Sequence, residues 1–321
     1  MRGVWLREFG GPEVLRPGDV PEPSPRAGEV VIGVEAIGIP FIETQVRSGS
    51  APVPLPELPI VPGNGVGGTV VALGPGGDPA LLGTRVVAST GGSGGYAERV
   101  AVAEDALIPV PAELETAQAV ALLADGRTAM ALIRAAAPRA GEWVLVQAAG
   151  GGVGGLLVQL AASAGAKVVA LAGSRRKLDL AAELGAAVAV NYREPDWADR
   201  VREIAGGGVH IAFDGVGGEI GRASFDLLAP RGRFVMFGAA SGALTDASVR
   251  EVFERAVVLV TGAQLFTSPA DVRAMATAAL AEAAAGRLRP IIGQTFPLER
   301  AADAHRAIES RDTVGKTLLI P

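Results

Sequence analysis

The sequence predicts an α/β fold in two domains, one built on a doubly wound parallel sheet and the other mainly β. Three observations carry this expectation. The chain has 321 residues, and at roughly 100–200 residues per domain that length divides into two. Its first third is punctuated by Gly and Pro, whereas from Ala121 onward apolar runs alternate with helical stretches. At Ala148–Gly155 a glycine-rich turn separates one such run from the helix that follows.

Within residues 1–120 the short runs Val30–Val34, Gly68–Leu73 and Arg85–Ala88 read as strands between turns, the pattern of an irregular, partly barrel-like β domain. Further on, Trp143–Ala149, Lys167–Ala172, Ala187–Asn191, Val209–Asp214 and Arg233–Gly238 are apolar runs of the kind that form buried strands. Between them Val153–Gly165, Arg175–Gly185 and Glu219–Leu228 have helical periodicity. Repeated strand–helix–strand units specify a parallel sheet with helices on both faces, the Rossmann arrangement. Beyond the apolar run Ala256–Val260 come an Ala-rich helix at Asp271–Ala285, the segment Pro290–Phe296, a helix at Glu299–Ser310 and a strand at Thr317–Ile320. These closing elements are expected to rejoin the first domain, so that 1–120 plus 263–321 form one unit and 121–262 the other.

Composition narrows the function. Hydrophobic residues make up 49% and charged residues 20%, as in a globular protein. A net charge of −5 leaves no basic excess to neutralise phosphates, which argues against a nucleic-acid binder. The mean hydropathy of +0.34 comes from dispersed Ala, Val and Leu, and no run approaches the roughly 20 apolar residues of a spanning helix. Charges interrupt Met1–Glu8 too early for a signal peptide, so a cytoplasmic location and no membrane partner are expected. There is no cysteine, and His210 and His305 are the two histidines. Thiol nucleophiles and thiolate metal sites are thereby excluded, a histidine zinc site is poorly supported, and no metal is expected.

The turn Ala148-Ala149-Gly150-Gly151-Gly152-Val153-Gly154-Gly155 follows a strand and opens a helix, the setting a dinucleotide fingerprint requires. Glycines allow the tight turn and bring backbone N–H groups against a pyrophosphate, while the helix N-terminus contributes partial positive charge. Two frames fit, Gly150-x-Gly152-x-x-Gly155 and Ala149-x-Gly151-x-x-Gly154. Twenty positions beyond Gly154, where an NAD enzyme usually carries an acid for the ribose hydroxyls, the chain reads Gly173-Ser174-Arg175-Arg176-Lys177. A carboxylate there would repel a 2′-phosphate, whereas these cations can pair with it. NADPH is the expected cofactor, with Tyr192 a candidate neighbour of the adenosine.

Phe9–Leu15, Phe41–Thr44, Arg47-Ser48-Gly49, Gly94–Glu98, Ala149–Gly154 and Phe213–Gly218 together resemble the quinone oxidoreductase branch of the medium-chain dehydrogenases/reductases, over essentially the whole length. The resemblance implies a GroES-like fold for the β domain and the alanine-first glycine frame, with Ala149, Gly151, Gly152, Val153 and Gly154 at the pyrophosphate. It implies Gly173, Lys177 and Tyr192, with Ser174 and Arg175 beside them, around the 2′-phosphate. Thr128 and the strand end Phe237-Gly238-Ala239 would lie beside the nicotinamide, and Lys316 would approach the cofactor. Zinc-dependent relatives carry Gly-His-Glu where this chain reads Gly63-Asn64-Gly65, so zinc independence is implied as well. The chain departs from many quinone oxidoreductases at Pro40 and Gln45, which replace an Asn and a Tyr.

Without metal or thiol the chemistry must come from the cofactor, with the protein supplying position and electrostatics. Flat conjugated acceptors, quinones or enones, are the expected substrates. Thr128 and Gln45 are the candidate side chains to stabilise charge on the acceptor oxygen, and Glu43 is a possible proton donor that reads as an exposed surface acid. The alternatives are an enoyl or alkenal double-bond reductase and a non-catalytic NADPH-binding redox sensor. Finally, Ala256–Val260 is expected at an edge of the parallel sheet, and exposed edges invite pairing. A homodimer is the expected assembly.

Overall fold

A computed structural model describes all residues from Met1 to Pro321. The chain forms two compact units, residues 1–127 with 276–321 and residues 128–275. The expected change-overs at 120/121 and 262/263 lie in composition shifts, whereas the observed ones fall inside helices. The first part contains β1 (Arg2–Leu6), β2 (Leu15–Asp19), β3 (Glu29–Ile39), α1 (Phe41–Ser48), β4 (Gly65–Leu73), β5 (Arg85–Ser89), β6 (Arg99–Ala103), β7 (Ile108–Pro109) and α2 (Thr116–Ala136). Then follow β8 (Trp143–Val146), α3 (Gly152–Ser163), β9 (Lys167–Ala172), α4 (Arg175–Glu183), β10 (Val188–Asn191), α5 (Trp197–Ala205), β11 (Val209–Asp214), α6 (Gly218–Asp226), β12 (Leu228–Met236), α7 (Val249–Glu254) and β13 (Val258–Thr261). The chain closes with α8 (Pro269–Ala284), β14 (Ile292–Pro297), α9 (Ala301–Glu309) and β15 (Lys316–Ile320).

In the first unit the long strand β3 organises a mainly antiparallel sheet, pairing with β4, β6 and β15. Its register with β4 slips at Val31/Ile32 and again at Val34/Ala36, and such bulges bend a sheet toward closure. At the second slip the backbones come so close that a Cβ on Gly68 would lie 1.9 Å from the Gly33 carbonyl oxygen, so only glycine fits there. Inside the curve Leu6, Ile32, Ile37, Val66, Tyr96 and Leu319 form a buried core. The return of the C-terminus to this unit is direct: Thr317 stands opposite Ile39 and Leu319 opposite Ile37.

The second unit is a six-stranded sheet of order β10-β9-β8-β11-β12-β13, parallel throughout. Its strands are continuous apolar runs because helices cover both faces. Below the sheet Phe225 and Phe234 meet edge to face at 5.3 Å between ring centres, beside Trp197, Val201 and Leu228. The chain winds outward from β8 in one direction and from β11 in the other. Ligands of such sheets bind at the carboxyl ends of the two strands where the direction reverses. That places the expected glycine turn, directly after β8, at the switch point.

Candidate cofactor site and a pocket of the first unit

Strand β8 stops at Val146, three residues short of the expected Ala149, because the chain turns there: Ala148 takes a left-handed φ of 48°. A non-glycine residue in that region costs on the order of 1 kcal/mol, a strain of the sort found where a backbone is shaped for a ligand. Gln147, fully buried, ties the turn to α6 and to the loop that follows β11. Its Nε2 donates to Ser224 Oγ at 2.9 Å and its Oε1 accepts from the Val216 N–H at 3.0 Å. Helix α3 then begins at Gly152, and no side chain caps it. Its first N–H groups are thus left for an anion.

The glycine positions distinguish the two frames. A Cβ on Gly154 would stand 2.2 Å from the Ala148 carbonyl oxygen and 3.0 Å from Ala149 Cα, both rigid backbone. On Gly155 it would meet the end of the flexible Leu184 side chain at 3.2 Å and backbone, Ala149 O, no closer than 3.6 Å. Gly154 therefore holds the place where helix and strand approach most closely, which supports the alanine-first frame. A Cβ on Gly151 would touch only Ala148 O, at 3.3 Å, so space above it is open. Gly150 is needed for another reason: a Cβ there would run into the aliphatic stem of Lys177, 2.6 Å from its Cβ and Cγ.

Lys177 is thereby brought beside the glycine turn, although it lies on α4 after the next strand. At the end of β9, a side chain on Gly173 would strike Tyr192 Oη and Arg193 Nε, each at 3.0 Å. Gly173, Tyr192 and Arg193 thus converge with Ser174, whose hydroxyl does not cap α4. Arg175 is placed differently from the others, since its guanidinium pairs with Asp179 one helical turn on, at 2.7 Å. Arg193 was not singled out by sequence, although its position directly after Tyr192 was a usable signal. Phe237-Gly238-Ala239 follows β12 and is held to the neighbouring loop: the Phe237 N–H donates to the Asp214 carbonyl at 2.9 Å, and a Cβ on Gly238 would lie 2.8 Å from Gly215 O. Asp214 is itself buried and accepts from the N–H groups of Val216 and Gly217 and from the Thr245 hydroxyl. Burial pushes its carboxyl upward.

The first unit carries a separate pocket, lined among others by Pro40, Asn64, Ser89, Arg127 and Lys316. Lys316 is buried and its ammonium donates to Asp125 Oδ1 at 2.9 Å. Its charge is therefore matched within this unit, which the expected approach to a cofactor did not include. Arg127 is pushed below its usual range by desolvation, against the opposing pull of Asp125. Neither Gln45 on α1 nor Thr128 on α2 is among the residues that line this pocket. No three His, Asp or Glu side chains converge as a metal site.

The first unit also holds a polar chain that no sequence pattern announces. Glu43 is not a surface acid: its carboxylate accepts from the Asn64 N–H at 2.9 Å and the Tyr96 hydroxyl at 2.7 Å. Tyr96 Oη lies 2.8 Å from His305 Nε2, and Nδ1 of that buried histidine has no partner. Burial raises Glu43 to about 7, with Tyr96, the Asn64 N–H and Lys316 opposing, and lowers His305 to about 3, helped by Arg47. Native Glu43 thus holds a proton between its unfolded value of 4.5 and about 7. The stability this gives is full below the unfolded value and is lost as pH rises through the folded one. His305 acts oppositely, losing stability as pH falls from 6.5 toward about 3. Glu43→Gln should therefore gain on the wild type in thermal unfolding as pH rises from about 4.5 to about 7, on the order of 2 kcal/mol or a few degrees, and keep that gain above it. A difference that stays flat with pH would show that Glu43 is not a buried acid.

Comparison with known proteins agrees with both units. Residues 26–112 match the alcohol dehydrogenase GroES-like domain and residues 152–282 the zinc-binding dehydrogenase family. The chain is 35% identical to a quinone oxidoreductase of Pseudomonas aeruginosa, over 99% of each chain. Among solved structures, Escherichia coli quinone oxidoreductase complexed with NADPH matches with a TM-score of 0.91 at 32% identity, and a mycobacterial protein complexed with NADPH with 0.90 at 36%. Both matches cover 100% of each chain.

Proposed function

Because the chain belongs to the quinone oxidoreductase family of the medium-chain dehydrogenases/reductases, we propose that it reduces quinones or similar conjugated carbonyl compounds with NADPH, without metal. The observation that carries this reading is the acid-free end of β9, where Gly173, Ser174, Tyr192 and Arg193 converge, together with Lys177 packed against the glycine turn that opens an uncapped helix. The residues fit the cofactor. Gly152, Val153 and Gly154 offer backbone N–H groups at the start of α3, and Gly151 open space, to a pyrophosphate. Lys177 and Arg193, joined by Tyr192 and Ser174, supply donors to a 2′-phosphate, with Arg175 available once its exposed pair with Asp179 opens. Phe237, Gly238 and Ala239, held by the Asp214 loop, are the candidates to lie beside the nicotinamide, and Thr128 and Lys316 are further candidates.

NADPH supplies two electrons and a hydrogen to the acceptor as hydride. A quinone that gains a hydride and one proton becomes a hydroquinone, so the balance needs only a proton from solvent. The protein binds, orients and excludes water, and stabilises negative charge on the acceptor oxygen. The test is NADPH consumption against simple quinones, enones and no acceptor. Turnover with quinones supports the reading, turnover with enones alone makes the chain a double-bond reductase, and NADPH binding without turnover makes it a sensor.

We also propose a cytoplasmic homodimer. No helix is long and apolar enough to cross a membrane. Strand β13 ends the sheet and pairs only with β12, and beside it Val249, Phe253 and Val258 are 86%, 85% and 53% exposed. Apolar surface next to an open edge favours a two-fold pairing of copies. Sedimentation of the wild type should give a dimer and of Phe253→Asp a larger monomer fraction; a wild-type monomer at micromolar concentration would contradict the proposal.

A further inference from the structure

The hydrogen bonds of the buried chain Glu43, Tyr96 and His305 fix where its hydrogens sit. The Asn64 N–H donates to Glu43 Oε1 at 2.9 Å, and Tyr96 Oη stands 2.7 Å from Glu43 Oε2 and 2.8 Å from His305 Nε2. Tyr96 and His305 are buried, and Nδ1 on the far side of the imidazole is sealed from solvent with no partner. A hydroxyl between two partners has one hydrogen to give, so the chain has a direction.

With Glu43 ionised, both of its oxygens accept. Tyr96 then donates to Oε2, its oxygen accepts from His305, and the ring hydrogen sits on Nε2. With Glu43 protonated, Oε1 is still taken by the Asn64 N–H, so the acid hydrogen lies on Oε2 and points at Tyr96. Tyr96 turns its own hydrogen to its other partner, His305 Nε2, which must now accept. Burial holds the ring neutral down to about 3, so its hydrogen is then on Nδ1.

The surrounding charges do not enter this chain. Arg47 on α1 acts on Tyr96 and His305 but pairs with Glu309, one turn beyond His305 on α9. Lys316 on β15 acts on Glu43 but pairs with Asp125 at 2.9 Å. On the other segments that touch α9, Glu299 pairs with Arg2 and Arg300 with Asp303, while Glu13, Arg16 and Asp19 are exposed.

We propose that Glu43, Tyr96 and His305 form a proton relay of reversible direction, in which His305 carries its hydrogen on Nδ1 while Glu43 is protonated and on Nε2 once Glu43 is ionised. The Glu43 hydrogen passes from Oε2 to Tyr96 Oη, the Tyr96 hydrogen passes from Oη to His305 Nε2, and the Nδ1 hydrogen leaves to water. The chain loses one proton and no heavy atom moves. Ionisation of an acid on α1 is thereby expressed at a ring on α9. The relay lies within the first unit and is independent of the reduction proposed above.

Isotope labelling of the histidine nitrogens tests it, because the chain has two histidines and replacing the exposed one, His210→Gln, leaves His305 alone in the spectrum. Long-range proton–nitrogen correlation spectra distinguish the protonated ring nitrogen from the bare one. From about pH 5.5 to about pH 8.5, either side of about 7 for Glu43, the hydrogen should pass from Nδ1 to Nε2 with the ring neutral at both ends. In Glu43→Gln the amide oxygen takes the Asn64 N–H and the amide N–H faces Tyr96, so Nδ1–H should persist at every pH. Tyr96→Phe removes the link and should leave one tautomer throughout. The wild-type spectrum decides alone if either variant fails to fold. A wild-type ring that keeps one tautomer, a charged ring within this range, or an exchange of tautomers that survives in either variant would overturn the inference.

Discussion

Gly154→Val should raise the Kd for NADPH by at least about 100-fold, roughly 2.7 kcal/mol. Even the first added carbon would sit 2.2 Å from the Ala148 carbonyl oxygen and 2.8 Å from its carbon. Since these are backbone atoms of the turn itself, relief requires the turn to move, and with it the N–H groups at the start of α3. The variant should also unfold at lower temperature. Gly151→Ala provides the contrast, because its Cβ has only one contact, at 3.3 Å. Its thermal stability should stay near that of the wild type while NADPH binding weakens, since the methyl group enters space needed by the pyrophosphate. Isothermal titration and thermal unfolding separate the two effects. Wild-type affinity in Gly154→Val would mean that this turn does not hold the cofactor.

Wild-type protein should prefer NADPH to NADH by at least about tenfold, the consequence of one or two charge-assisted hydrogen bonds worth on the order of 1–3 kcal/mol together. Lys177→Glu should erase most of that preference. The Lys177 stem lies against Gly150, so a carboxylate at this position would face the 2′-phosphate and repel it. Arg193→Ala should lose part of the preference, and Arg175→Ala less, because Arg175 already pairs with Asp179 in an exposed i,i+4 contact. Such contacts contribute little to stability. Equal binding of the two cofactors by the wild type would contradict the 2′-phosphate site.

Much of the second unit was legible because its order depends on local pattern. Each strand is a short apolar run and the glycine turn is contiguous, so β8, β9, β11 and the start of α3 are visible within a few residues of their true ends. The end of β8 was not, since Ala148 reads as a strand residue until its left-handed φ is known. Helix α5 was overlooked although Trp197 and Val201, both buried, are one turn apart. Edge placement of β13 followed from its position as the last apolar run before the Ala-rich helix.

The pocket of the first unit was much less legible. Pro40, Asn64, Arg127 and Lys316 come from two loops, α2 and β15, and share no motif. Glu43 was read as a surface acid because its partners are 53 residues away at Tyr96 and, through it, a further 209 at His305. Long-range pairing of this kind leaves no period to detect.

The most direct test of the account is a single-turnover reaction in which the protein, loaded with NADPH, is mixed with a simple para-quinone and both species are followed. The account predicts one hydroquinone formed per NADPH oxidised, a slower rate when the transferred hydrogen of NADPH is replaced by deuterium, and no change on exhaustive chelation of metals. Bound NADPH that remains unoxidised, or oxidation that requires an added metal ion, would contradict it.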